Sequence, residues 1–258
     1  MHSSASVCSM DIAQDHLYIG TSGWSYAWRG IFYPEDLKSA EMLPFYAEHF
    51  NCTEVNSSFY HFTMEKTILK WLETTPAHFK FAPKLHRSIT HENRLQNIEN
   101  PLRKWMDRFL LMGDRLGPVL VQLPGSFHFN ELIAKHFFTL LRNLYPSTVF
   151  ALEVRHASWH TEEVLELLEE FNISLVVISA GKKWPALAAA TTDTVYMRLH
   201  GHEQLYRGAY PDEELERFSY MAQDWLLDEK TVWCFFNNTI GGNATSDAQK
   251  LKQAILNL

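Results

Sequence analysis

The feature that most restricts what this chain can become is an alternation repeated eight times: a short apolar run ends in polar residues, and a stretch with helically spaced apolar residues follows. The runs lie at 16–24, 52–60, 78–86, 119–123, 150–159, 173–179, 194–201 and 232–238. The helical stretches lie at 35–50 (with Pro44 inside), 64–73, 102–116, 131–144, 161–171, 182–190, 212–227 and 244–256. The sixth is the weakest, since it contains Pro185 and a run of alanines. Runs rich in Val, Ile and Phe on both faces suit a parallel sheet covered on both sides. Eight βα units then select an α/β fold of one type, a single closed (β/α)8 TIM barrel. Residues 16–258 are read as that domain, 1–15 as a flexible tail, and 87–101 and 202–210 as long loops after the third and seventh strands.

Composition enters as a filter on partners. A formal charge of -7 disfavours nucleic acid and anionic membrane, both of which call for excess Lys and Arg. Cys8, Cys52 and Cys234 are widely separated, with no CxxC pair, which argues against a disulfide framework or a thiolate zinc site and for a cytoplasmic setting. The first fifteen residues lack the basic and apolar regions of a signal peptide, and no apolar run is long enough for a membrane span.

Strands alternate their side chains, so one parity of each run shares the enclosed side of a barrel. Near the carboxyl ends that parity collects Glu54, Asn56, Lys84, His86, Gln122, Glu153, Arg155, Arg198, His200 and Asn237. The opposite parity is apolar, as in Val55, Leu85, Leu152, Val154, Met197 and Leu199. Ionisable groups in such a place need partners. Glu54, Glu153, Lys84 and His200 are the candidates for catalysis, and Asn56, Tyr60, Gln122, Arg155, Arg198 and Asn237 for ligand binding. In the last loop, Gly241 and Gly242 would let backbone N–H groups approach an anion at a helix N-terminus. The same charges could instead close on one another as a structural ion-pair network, with Lys84 merely neutralising carboxylates. The loop aromatics Trp24, Tyr26, Trp28, Phe32, Tyr33, Phe59 and Tyr60 suit either packing or a stacking wall.

Several runs together resemble the uncharacterised DUF72, or YecE-like, family: GTSGWSYAWRGIFYP at 20–34, EVNSSFY at 54–60, FKFAPKLHRSITH at 79–91, LGPVLVQLP at 116–124, ALEVRHASW at 151–159, VYMRLHG at 195–201 and FFNN at 235–238. The resemblance implies a TIM barrel and a pocket, with no reaction attached. It places the family's motif positions on Glu54, Asn56, Lys84, Gln122, Glu153, Arg155, Arg198, His200 and Asn237. Two positions depart from the pattern: Ser179 stands near the place of a strand-six Asp, and Asp247-Ala248 where relatives carry an NA pair.

The leading expectation is a metal-independent enzyme, a hydrolase or isomerase using acid/base chemistry without a cofactor. Its ligand would be small and anionic or carbohydrate-like, sugar- or phosphate-containing. One alternative is a metal-dependent phosphoesterase or nuclease related by fold to endonuclease IV, using Glu54, Glu153, His200 and His86 or His202. Lys84, Arg155 and Arg198 would repel its metal, and no HExxH signature is present. The other is a non-catalytic binder of nucleic acid or a phosphorylated ligand. Trp225 and Phe218 fit either packing or a dimer face, so the oligomeric state stays open.

Overall fold

The computed structural model describes residues 15–181 and 183–258, which places the expected N-terminal tail almost wholly outside the described residues. Among the described residues eight short strands are present: β1 Leu17–Thr21, β2 Cys52–Val55, β3 Lys80–Pro83, β4 Val119–Gln122, β5 Phe150–Glu153, β6 Ile173–Ser179, β7 Thr194–Leu199 and β8 Thr231–Phe236. Every ladder between them is parallel. Helices follow seven of the eight: α1 Met42–His49, α2 Ser57–Tyr60 with α3 Glu65–Thr74, α4 Glu99–Phe109, α5 Glu131–Leu144, α6 Glu162–Glu170, α7 Asp212–Leu227 and α8 Asn243–Leu256.

The closed eight-stranded TIM barrel expected from the alternation is not formed. The strands divide into a six-stranded half-barrel of order β1-β8-β7-β6-β5-β4 and a separate pair, β2-β3. The physical reason lies at the two seams. Between β1 and β2 the main chains come close enough that a Cβ on Gly20 would collide with the carbonyl of Cys52. Side chains nevertheless take the ladder's place there: the Ile19 N–H donates to Asn51 Oδ1 at 3.2 Å, Asn51 Nδ2 donates to the Leu17 carbonyl at 2.7 Å, and the Thr21 N–H donates to Tyr46 Oη at 2.7 Å. Between β3 and β4 only single bonds cross, from Gly117 N–H to the Phe81 carbonyl at 2.7 Å and from Leu85 N–H to the Leu120 carbonyl at 2.8 Å. Side-chain bonds that satisfy a strand's edge compete directly with ladder pairing.

The segment after β6, expected to be helical, forms no helix among its described residues. Pro185 lacks the N–H a helix needs, and the alanines supply no apolar stripe to bury. Thr191 ties this segment back to the sheet instead, its hydroxyl accepting from the Leu175 N–H at 2.9 Å and donating to the Ile173 carbonyl at 2.7 Å. The loop after β3 winds into a π-helical turn, Ser88–Glu92, before α4, and the loop after β7 is irregular to Pro211. Pro44 is accommodated in the first turn of α1, where its missing N–H costs nothing. Among the described residues no helix is long and apolar enough to cross a membrane.

Two buried apolar layers follow from strand parity. The larger one lies between strands and helices and includes Val55, Leu85, Leu152, Met197 and Leu199. The smaller one, Cys52, Ala82, Leu120, Ala151, Val176, Ile178, Tyr196, Trp233 and Phe235, fills the enclosed side of the sheets. Two residues further along the same strands come Glu54, Lys84, Gln122, Glu153, Arg198 and Asn237. A polar layer therefore caps the inner apolar core at the strands' carboxyl ends.

Candidate functional site

The polar layer has two storeys, and the lower one is buried, with Arg198 at the boundary between them. Glu54, Glu153 and His200 are fully buried and Arg198 is 1% exposed. Arg198 grips Glu54 at two points, Nε to Oε2 at 2.8 Å and Nη2 to Oε1 at 2.6 Å, and its Nη1 donates to Glu153 Oε2. Tyr196 Oη donates to Glu54 Oε2 at 2.8 Å, and Arg155 Nε donates to Glu153 Oε1 at 2.7 Å. Burial by itself would raise both carboxyls. Arg198 outweighs it, with Tyr196 assisting at Glu54 and Arg155 at Glu153, so Glu54 is held below the ordinary carboxylate range and Glu153 well below it. The two glutamates and two arginines balance in charge, as such a buried cluster must.

His200 belongs to the same storey. Burial lowers it to about 4, against the opposing pull of Glu153, so the ring is neutral at ordinary pH. Asn237 Nδ2 lies 3.0 Å from its Nδ1 and donates there, which puts the ring proton on Nε2. Nε2 faces Glu153 Oε2 across 3.5 Å, a long contact.

Above lies a cleft of about 530 Å³ whose lining includes Asn56, Tyr60, Lys84, Gln122, Arg155, Arg198 and Asn237. Lys84 is 8% exposed. Its Nζ donates to Gln122 Oε1 at 2.9 Å and sits 4.1 Å from the centre of the Phe59 ring. Gln122 cannot turn its amide round without loss, because its Nε2 donates to the Leu123 carbonyl. Among the described residues no carboxylate oxygen lies within ion-pairing distance of Lys84; both nearby glutamates are taken by arginine. Burial, reinforced by Arg198 and only partly offset by Glu153 and Glu54, lowers Lys84 to about 7. This is the only lysine among the described residues that is both buried and on the cleft floor. Arg155 stacks on Trp184 at 3.7 Å, and its two Nη groups make no hydrogen bond among the described residues.

Most residues singled out from the sequence thus converge, some in the floor and some beneath it. Gly241 and Gly242 do not line the cleft, although Thr239 and Ile240 beside them do. Gly242 is explained by packing, since a Cβ there would press on Ile31, and by its left-handed backbone with φ 80°. His86 bonds Ser88 Oγ at 2.8 Å away from the cleft. His202 and Ser179 line a different groove, bordered by α7 and by Ala186 and Ala188 of the segment after β6. Asp247 is structural, accepting from the Tyr210 N–H at 3.0 Å and from Asn238 Nδ2 at 2.7 Å.

Other residues of the site escaped the sequence reading. Tyr196 shares the parity of Arg198 and could have been found by extending the alternation one step back. Arg87, His91 and Tyr206 reach the cleft from loops, where no periodicity points to them. Trp184 comes from the segment expected to be helical. Among the described residues no three His, Cys, Asp or Glu side chains converge as a metal site would need.

Parallel strands covered by helices, with a buried ion cluster beneath a cationic cleft at their carboxyl ends, define an α/β protein of the strand-end-site class. The chain belongs to the DUF72 family: the model of that family, described as a protein of unknown function, matches residues 18–257. The UPF0759 protein YecE of Escherichia coli (strain K12) is 30% identical over 141 residues, a match spanning 54% of this chain and 48%, about half, of that protein. The UPF0759 protein YunF of Bacillus subtilis (strain 168) is 25% identical over 93% of this chain and 94% of its own length. A DUF72 family structure from Thermotoga maritima MSB8 superposes with a TM-score of 0.80 at 30% identity, covering 92% of this chain and 98% of that one. One from Enterococcus faecalis V583 gives 0.82 at 20% identity over 94% and 96%.

Proposed function

We propose that the cleft is the active site of a metal-independent enzyme acting on a small anionic ligand, and that Lys84 is its proton-transferring group. The observation that carries the reading is a buried amine on the cleft floor with no carboxylate partner among the described residues, held near neutrality. A group that titrates near the working pH is the most effective acid or base. A cleft of about 530 Å³ is the size of small-molecule sites rather than of a groove for a polymer.

In this reading Arg155 and protonated Lys84 attract the anion, while Gln122, Asn56 and Asn237 offer hydrogen bonds to its remaining polar atoms. Tyr60, Tyr26 and Phe59 form a wall against which a sugar ring could lie. Glu54 and Glu153 are ionised and already occupied, so their part is to hold the arginines in place rather than to carry protons. His200, neutral and sealed, positions Asn237. The free, buried thiols of Cys52 and Cys234 are consistent with a reducing, cytoplasmic setting.

Titration calorimetry with inorganic phosphate tests the anion site. For sulfate, whose charge is constant, affinity is expected to fall by about tenfold as the pH rises from 6 to 9 and Lys84 loses its charge, which corresponds to the loss of one charge-assisted contact of roughly 1.4 kcal/mol. Phosphate protonation runs the other way over the same range, so the sulfate series is the one that isolates the lysine. Sulfate affinity that is flat with pH, or absent for both anions at millimolar concentration, would contradict the proposal.

A further inference from the structure

Lys84 has a geometry that proton transfer alone does not require. Among the described residues the single hydrogen-bond partner of its Nζ, Gln122 Oε1, is an acceptor, so nothing there donates to the amine or occupies its lone pair. The partner is itself anchored to the Leu123 carbonyl, which fixes the amine's direction. Arg155, with two uncommitted Nη groups, lines the same cleft. An amine presented in this way beside a cation is suited to attack a carbon whose neighbouring group is anionic.

We propose that Lys84 forms a Schiff base with a small carbonyl compound bearing a carboxylate or phosphate. The inference rests on the anion-site reading above and names the substrate class for that site. The lone pair of neutral Nζ attacks the carbonyl carbon and a C–N bond forms. The C=O π pair passes to oxygen, which takes a proton, and the nitrogen releases one. The resulting carbinolamine then loses its hydroxyl with a second proton as water, leaving a protonated C=N bond. The sum is amine plus carbonyl plus one proton to iminium plus water, with no change of oxidation state; protons are exchanged with solvent at the cleft mouth.

The test is reductive trapping. The wild-type protein is incubated with sodium borohydride and either pyruvate or dihydroxyacetone phosphate, digested, and each lysine peptide is weighed. Reduced adduct on Lys84 is expected to exceed that on exposed Lys70 by about tenfold or more, because an ordinary lysine is almost entirely protonated at pH 7.5. Added phosphate should suppress it, and Lys84→Arg should abolish it. Adduct on Lys84 no greater than on Lys70 with both carbonyl compounds would overturn the Schiff base. A parallel measurement separates the two readings: protection of Lys84 from acetic anhydride by phosphate, without any borohydride adduct, removes the Schiff base and leaves the anion site standing. Adduct that phosphate fails to suppress supports the Schiff base while removing the anion site. The wild-type measurement stands whether or not the variant folds.

Discussion

Replacing Arg198 with methionine is expected to destabilise the protein by about 3–5 kcal/mol, the usual cost of breaking a buried ion pair from one side. Methionine fills much of the volume, so the loss measures charge rather than cavity. Glu54 would keep only Tyr196 as its strong partner, and Glu153 only Arg155. The pH dependence carries the diagnosis. In the wild type Glu54 and Glu153 are held below 4.5, so their contribution is present above that pH and lost as pH falls through the folded values. In the variant, burial no longer opposed by Arg198 raises Glu54, so the variant loses stability as pH climbs above about 4.5. The gap between the two proteins in guanidinium unfolding should therefore widen from pH 4 to pH 7. Adding Glu54→Gln to the variant should recover part of it, since a neutral amide needs no cation. A gap that is the same at both pH values would mean that packing, not charge, is what Arg198 supplies.

Replacing Lys84 with methionine is expected to act in the opposite direction on stability while removing function. The amine is held at about 7 against an ordinary 10.5, so folding is penalised wherever the unfolded chain binds the proton, because the folded chain must either release it or keep the charge buried. The wild type regains stability as pH rises from about 7 toward 10.5, and the penalty is complete below 7. At neutral pH the variant should thus be the more stable protein by an amount on the order of 1–3 kcal/mol, a margin that narrows as pH is raised. Phosphate binding should weaken at least about tenfold, the worth of one charge-assisted contact. Stability sacrificed at one residue is the pattern expected of a working site rather than a structural one. A variant that is less stable than the wild type at pH 7 and binds phosphate equally well would show that Lys84 neither burdens the fold nor holds the anion.

Strand parity explains why so much of the site was legible in the sequence. Glu54, Lys84, Gln122, Glu153, Arg198 and Asn237 each sit two residues beyond an inward apolar position, at Cys52, Ala82, Leu120, Ala151, Tyr196 and Phe235. Alternation survives even when sheets do not close. Closure itself was not legible, because it depends on whether Asn51 and Tyr46 spend their side chains on the edge of β1, and nothing in a run of residues announces a bond across 32 positions. The lack of a helix among the described residues after β6 was half visible in Pro185 and the alanines. Gly241 and Gly242 show the reverse problem: a glycine pair before a helix looks the same whether it admits an anion or, as Gly242 does here, admits Ile31. The division of labour among the charges was also hidden. Two glutamates, two arginines and a lysine can pair in several ways, and only the geometry shows that the arginines take both carboxylates and leave the lysine alone.

The most direct measurement is the titration of Lys84 itself, followed through the resonance of its 15N-labelled side chain and assigned by comparison with Lys84→Arg. A midpoint at about 7 is expected, moving upward when phosphate occupies the cleft and adds a negative charge beside the amine. A midpoint near the ordinary 10.5, unmoved by phosphate, would contradict that expectation, since Lys84 would then be a permanently charged residue with nothing to give or take at neutral pH.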